Sequence, residues 1–195
     1  MNPIPYTVER RPDTGMNNVK LGVWLFLASE VMLFGGLFSA YFMLRAGMAA
    51  WTPLESHRTI AMINTAFLVA SGLAFSVATD AARAADVRRF RVWSVLCLAM
   101  AFEFIAFKSL EYTLAMHDGL YPRTSTEGAL YYLLTGVHAA HVFGGMLVTL
   151  WLAMTRTRTW QDHAPVVINR LEATALYWYF VDLVWLIIFV LLYVA

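Results

Sequence analysis

Long apolar stretches dominate the chain, and short polar linkers separate them. A helix needs about 20 predominantly apolar residues to cross a bilayer, and five stretches meet that need, at about 21–44, 60–79, 92–114, 129–154 and 173–195. A β-barrel would show alternating segments of about ten residues instead, and open strand edges cannot be satisfied in lipid. The pattern therefore predicts an all-α, polytopic membrane protein that forms a five-helix bundle.

The beginning of the chain differs from the rest. Residues 1–20 are polar and lack the apolar core of a cleavable signal peptide, so we predict a polar cytoplasmic segment there. The linkers between the predicted helices are short and contain Pro53, Pro122 and Pro165. They leave no room for a second domain, and we predict one transmembrane domain over 21–195.

The distribution of lysine and arginine predicts the orientation, because these residues are enriched in cytoplasmic loops. One side of the predicted bundle carries ten of them, at Arg10, Arg11, Lys20, Arg83, Arg88, Arg89, Arg91, Arg156, Arg158 and Arg170. The other side carries four, at Arg45, Arg58, Lys108 and Arg123. This asymmetry predicts a cytoplasmic N-terminus and a C-terminus on the outer side.

Composition supports a membrane protein and excludes several other classes. The chain is 60% hydrophobic and 14% charged, whereas soluble domains carry about 25% charged residues. A net charge of +1 without a basic run gives no indication of nucleic-acid binding. The single cysteine, Cys97, excludes an internal disulfide and a redox dithiol.

Ionisable residues occur near the middle of four predicted helices. They are Glu30, Glu103, His138, His141 and Asp182. An ionisable group at the bilayer centre costs about 2.5–3.5 kcal/mol on insertion scales. We therefore predict that the helices bury these residues against each other near one midplane. Two interpretations stay open: a proton-handling cluster of acids that are neutral in the low dielectric, or interhelical hydrogen bonds with a structural role.

Other polar positions favour structural interpretations. Lys108 and Glu111 are three residues apart and suit an intrahelical ion pair. His138 and His141 project from one face of a helix, so they cannot supply two axial haem ligands on opposite sides of an iron. A copper or zinc ion would need a third ligand. The chain contains no phosphate-binding glycine loop, metalloprotease helix or nucleophile elbow. The pairs Gly35–Gly36 and Gly144–Gly145 indicate close helix contacts.

Four segments resemble subunit III of the haem-copper respiratory oxidases, in the family's order. KLGVWLFLASEVMLFGGLFSAYF resembles the helix with an intramembrane glutamate, here Glu30, and KSLEY (108–112) matches a second motif. LLTGVHAAHVFGG resembles the paired-histidine helix, and LEATALYWYFVDLVW resembles the closing helix, which includes Glu172 and Asp182. The resemblance covers nearly the whole chain and matches the five-helix bacterial forms, although Tyr179 stands where the family often has histidine.

The resemblance implies a bacterial inner-membrane subunit without haem or copper of its own, because catalysis lies in subunit I. Such a subunit contacts subunit I, subunit II and small subunits, sustains proton uptake, and binds phospholipids, with Arg156 at a lipid head group. It implies aerobic electron transport by a hetero-oligomeric membrane complex, and it leaves membership of a respiratory supercomplex open. Two alternatives stay open: an accessory subunit of a bacterial nitric oxide reductase, and an independent proton channel or transporter.

Overall fold

The computed structural model describes residues 6–47, 57–123, 125–155 and 157–194, and within 157–162 it describes only the side chain of Trp160. Its helices are α1 (Asn18–Ala46), α2 (Arg58–Arg83), α3 (Val87–His117), α4 (Thr126–Ala153) and α5 (Thr157–Phe189), followed by a π-helical turn at Val190–Val194. Five helices are long and apolar enough to cross a membrane, and the described residues contain no strand. The prediction of an all-α membrane bundle is confirmed.

The helices extend beyond the apolar stretches because polar residues cap them. The side chains of Asn17, Asp86 and Ser125 accept hydrogen bonds from backbone N–H groups in the first turns of α1, α3 and α4. Such caps satisfy N–H groups that have no partner within the helix. As a result, α1 begins three residues and α3 five residues before the predicted start.

The largest difference from prediction lies before the fifth apolar stretch. α5 begins at Thr157, so most of the predicted linker is helical, including Pro165 and Arg170. The helix is kinked at His163, whose backbone is non-helical (φ −139°, ψ 34°). Pro165 then occupies the first turn after the kink, where a missing N–H leaves no intrahelical hydrogen bond unmade. The proline therefore redirects the helix instead of ending it.

α5 is the central helix of the bundle, because it packs against α1, α2 and α4, while α3 packs against α2 and α4. α2 and α3 are an antiparallel hairpin with the most extensive contact of any helix pair. Their buried sides carry many small residues, among them Ala74, Ala78 and Ala82 on α2 and Cys97 and Ala101 on α3. Small residues allow helix backbones to approach closely in lipid, where packing rather than water exclusion drives association.

α1 lies at the periphery of the bundle. It packs mainly along α5 and slightly against α4, and only Leu27, Phe34 and Tyr41 are buried. Within this chain, the prediction of a close helix contact at Gly35–Gly36 is wrong, because a Cβ at either position would meet no atom of the described residues within 4 Å. At Gly145, by contrast, an added Cβ would lie 3.1 Å from the Tyr177 ring and 3.3 Å from the Trp178 ring, so α4 and α5 do approach closely there.

Candidate functional site

Glu30 of α1 and His141 of α4 form a hydrogen-bonded pair between two helices. Glu30 Oε2 lies 2.8 Å from His141 Nε2, and the two side chains are 13% and 17% exposed. His141 Nδ1 lies 2.8 Å from the Val137 carbonyl oxygen. Because a carbonyl only accepts, Nδ1 carries a hydrogen and Nε2 faces Glu30. The pair then shares one proton, either as carboxylic acid with imidazole or as carboxylate with imidazolium.

Aromatic groups surround this pair. The Phe34 ring centroid lies 5.1 Å from that of His141. The Tyr177 hydroxyl donates to the His141 carbonyl oxygen at 2.8 Å, which joins α5 to the same turn of α4. Next to Tyr177, a groove of about 320 Å³ runs between α1, α4 and α5 and is lined by apolar residues such as Phe26 and Val148. The pair is therefore held between helices, close to the surface of the bundle.

His138 occupies a different environment, although it is only three residues from His141. Its ring is fully buried, 5.7 Å from the Phe104 ring and 5.1 Å from the Trp185 ring. Neither ring nitrogen has a hydrogen-bond partner among the described residues, and the same holds for both amide atoms of buried Asn64. The two histidines thus diverge toward separate neighbours and do not converge on one site.

Asp182 points at the backbone of α2. A Cβ built on Gly72 would overlap Asp182 Oδ2 and lie 3.2 Å from its Cγ, so only glycine leaves room for the carboxyl group. Asp182 Oδ1 is buried and has no hydrogen-bond partner among the described residues. Asp182 therefore serves as a contact between α5 and α2 and lies apart from the Glu30–His141 pair.

The prediction that all five midplane residues bury against each other is wrong for Glu103, which is exposed on the outside of α3. The buried side of α3 runs through Ala101, Phe104, Lys108 and Glu111. At about 100° per residue, Glu103 is turned about 80–160° around the helix from these residues, away from the buried side. In a membrane both sides of a helix are apolar, so sequence spacing alone did not reveal which side faces inward.

Lys108 and Glu111 form an ion pair in the interior. Lys108 Nζ lies 3.1 Å from Glu111 Oε1, and the side chains are 2% and 0% exposed. The Tyr131 hydroxyl donates to Glu111 Oε1 at 2.8 Å, and the Tyr193 hydroxyl makes a short hydrogen bond to the same oxygen. Lys108 Nζ also lies 2.7 Å from the Tyr193 hydroxyl and 5.4 Å from the Trp185 ring centroid. Tyrosines from α4 and the π-helical turn therefore complete the pair, and sequence reasoning did not identify them because tyrosine is common in membrane helices.

Glu172 joins three helices at the end of the bundle that holds the N-terminal segment. Its Oε2 lies 2.6 Å from Lys20 Nζ of α1, and its Oε1 lies 2.8 Å from Arg83 Nη2 of α2. Arg83 also pairs with Asp80 at 2.8 Å. Arg156, the predicted lipid contact, lies outside the described residues. Within the described part of the chain, no three His, Cys, Asp or Glu side chains converge as a metal site would require.

The comparisons with known proteins agree with this architecture. The family described as "Cytochrome c oxidase subunit III" matches residues 10–195. A protein of Nocardia farcinica named "Probable cytochrome c oxidase subunit 3" is 34% identical over 180 residues, which cover 91% of this chain and 88% of that protein. The "Cytochrome c oxidase subunit 3" of Thermostichus vulcanus is 35% identical over 181 residues, covering 89% and 86%. That of Synechocystis is 33% identical over 180 residues, covering 88% and 73%.

The fold and the polar groups inside it define a multi-pass membrane subunit. The chain belongs to the cytochrome c oxidase subunit III family. Membership in this family makes it part of a multi-subunit oxidase complex of a respiratory chain. The resemblance seen in the sequence motifs is thereby confirmed.

Proposed function

We propose that the chain is a non-redox accessory subunit of a proton-pumping haem-copper terminal oxidase that reduces dioxygen. Haem and copper belong to partner subunits, and this chain stabilises subunit I, its main contact, together with subunit II and small subunits. The complex lies in the bacterial inner membrane, with the N-terminus in the cytoplasm and the C-terminus outside. The observation that carries the proposal is the Glu30–His141 pair, a carboxyl group hydrogen-bonded to an imidazole near the bundle surface.

The pair has the chemistry of a proton reservoir. A proton moving between Glu30 Oε2 and His141 Nε2, 2.8 Å apart, changes the charge on both groups without breaking their hydrogen bond. Partial exposure leaves the carboxyl group accessible to a neighbouring subunit at the bundle surface. In contrast, the Lys108–Glu111 pair is fully enclosed by aromatic side chains and serves the cohesion of the bundle. His138 and Asp182 pack in the interior and hold helices together.

A phospholipid site is part of the proposal. An apolar groove of about 520 Å³ runs along α1 and α5 and is lined by residues that include Val31 and Leu183. It shares Trp24 with a second cavity of about 460 Å³ near the membrane surface, where Lys20 and Arg83 lie. An acyl chain would follow the apolar groove, and a phosphate would meet Lys20 and Arg83 in competition with Glu172 and Asp80, the carboxylates that pair with these cations. Loss of such a lipid would loosen α1, which has few protein contacts.

Oxygen consumption over many turnovers tests the function. Three preparations are compared: the intact complex, the complex depleted of this chain, and the Glu30→Gln complex, each at mildly acidic and mildly alkaline pH. Depletion should accelerate inactivation, more so at alkaline pH, because slow proton supply prolongs reactive oxygen intermediates in subunit I. Glu30→Gln keeps a hydrogen bond to His141 but removes the carboxyl proton, and it should have a smaller effect than depletion, because lipid packing and shielding need the whole five-helix chain. Unchanged rate and lifetime after depletion, at both pH values, would refute the proposal.

The two alternatives predict different observations. A nitric oxide reductase subunit would purify with a complex that reduces nitric oxide and lacks a two-copper subunit II. An independent channel would conduct protons when the chain alone is placed in liposomes, whereas an accessory subunit would not. Identification of the co-purifying chains and their haems distinguishes a nitric oxide reductase subunit from an oxidase subunit. A pH-gradient assay in liposomes distinguishes an independent proton channel from an accessory subunit.

A further inference from the structure

Glu103 lies at the middle of a membrane-spanning helix and faces away from the bundle. It is 16 residues from the first residue of α3 and 14 from the last, or about 24 and 21 Å at 1.5 Å per residue. Its neighbour Phe104 contacts the rings of His138 and Trp185 in the interior. Glu103 therefore lies close to the centre of a hydrocarbon core about 30 Å thick, but on the outer surface of the protein.

Such a position is unfavourable in contact with lipid. Acids in membrane helices almost always face the bundle interior or a polar cavity, because lipid solvates neither a carboxylate nor the polar atoms of a neutral acid. The glutamate side chain is too short to reach the membrane surface from the midplane. The nearest other charged side chains of α3, Lys108 and Glu111, are buried in the interior and pair with each other.

The residues around Glu103 suit contact with another helix. Ala99 and Ala106 are exposed one turn before and after it, and small residues allow a helix to approach closely. Leu96 and Leu110 are 37% and 49% exposed and extend the same face by a further turn in each direction. We call the face formed by these five residues the Glu103 face. Its combination of small, apolar and one acidic residue is typical of a contact between transmembrane helices with one polar pair at its centre.

We propose that the Glu103 face is an interface with a transmembrane helix of another subunit of the complex, and that this helix presents a hydrogen-bond donor to the Glu103 carboxyl group. The inference rests on membership of the chain in an oxidase complex. The partner helix carries a donor side chain at the midplane, because only a donor complements the carboxyl group in either charge state. A second copy of this chain would place one Glu103 face against another, and two acids would then share one site.

The intact complex, purified in mild detergent, tests this interface in two ways. A photo-crosslinking amino acid at position 103 should form an adduct with a membrane segment of an identified partner subunit. Glu103→Leu should lower retention of the chain in the complex on the order of tenfold, the loss of one interhelical hydrogen bond. Glu103→Gln keeps hydrogen-bonding atoms and should stay within about twofold of the unmodified chain. Phe143→Leu on α4, where Phe143 is 54% exposed, is the matched control and should leave retention unchanged.

The outcomes separate this proposal from the proposed function. Adducts with lipid only, or with a second copy of the chain, would overturn the interface, as would retention of Glu103→Leu equal to that of the unmodified chain. If the chain purifies with a complex that is not an oxidase while Glu103→Leu still weakens retention, the proposed function fails and the interface stands. If the complex is an oxidase but position 103 meets no partner, the interface fails alone.

Discussion

Replacing Lys108 by methionine should weaken the bundle strongly, because it leaves a buried acid without its cation. Methionine keeps the unbranched stem but removes the ammonium group, which lies 3.1 Å from Glu111 and 2.7 Å from the Tyr193 hydroxyl. Both members of the pair are at most 2% exposed, so water cannot replace the lost partner. Removing one partner of a buried ion pair costs about 3–5 kcal/mol.

The temperature at which the chain dissociates from the heated complex measures this effect. About 2–4 °C per kcal/mol is expected for a chain of this size, so Lys108→Met should lower the temperature of half-dissociation by roughly 6–20 °C. Size-exclusion chromatography followed by quantitative mass spectrometry gives the retained fraction at each temperature. The double variant Lys108→Met/Glu111→Gln keeps an acceptor for the tyrosines without a buried charge, and it should recover at least half of the loss. A single variant as stable as the unmodified chain, or a double variant no better than the single one, would refute the reasoning.

Three further predictions concern other contacts. Gly72→Ala should destabilise the chain by about 1–3 kcal/mol, because its Cβ overlaps Asp182, whereas Gly35→Ala has open space and should be neutral or slightly stabilising in the same heating assay. In the intact complex a hydrophobic carbodiimide should label Glu30 in preference to Asp182, whose Oδ1 is buried, and to Glu103, which the proposed partner helix covers; peptide mapping that finds labelling confined to Glu103 or Asp182 would contradict this. Arg83→Gln should lower the phospholipid that co-purifies with the complex, and lipid mass spectrometry showing no change would argue against the cavity beside α1 and α5 as a head-group site.

The sequence predicted the number of helices well because crossing a membrane requires long apolar stretches. It also identified Glu30, His141 and Asp182 as unusual, because polar residues at that depth are costly. It did not predict their partners. Lipid-facing and buried sides of a membrane helix are both apolar, so the pattern that shows the inward side of a helix in a soluble protein is weak here. For this reason the prediction that Glu103 is buried was wrong.

Other differences arise from local backbone effects and side-chain volume. Polar caps start helices such as α1 before their apolar parts begin, and the kink at His163 lets α5 continue through the predicted linker. Hydropathy alone indicates neither effect. The contact between Gly72 and Asp182 depends on the approach of α2 and α5, and nothing in the spacing of the two residues indicates it. Gly35 and Gly36 look similar in sequence to the Gly144–Gly145 pair, but no described residue lies close to them.

The peripheral position of α1 has a consequence for biosynthesis. α1 leaves the ribosome first, yet its main neighbour, α5, is made last, and the two are joined by Lys20–Glu172 and by the Tyr41 hydroxyl donating to the Leu191 carbonyl oxygen. The α2–α3 hairpin, by contrast, contacts itself as soon as residue 117 has emerged. The first helix therefore completes its main packing only when α5 is inserted, although the Glu30–His141 pair can join it to α4 earlier. Insertion of α5 is therefore the step that commits α1 to its place in the folded subunit.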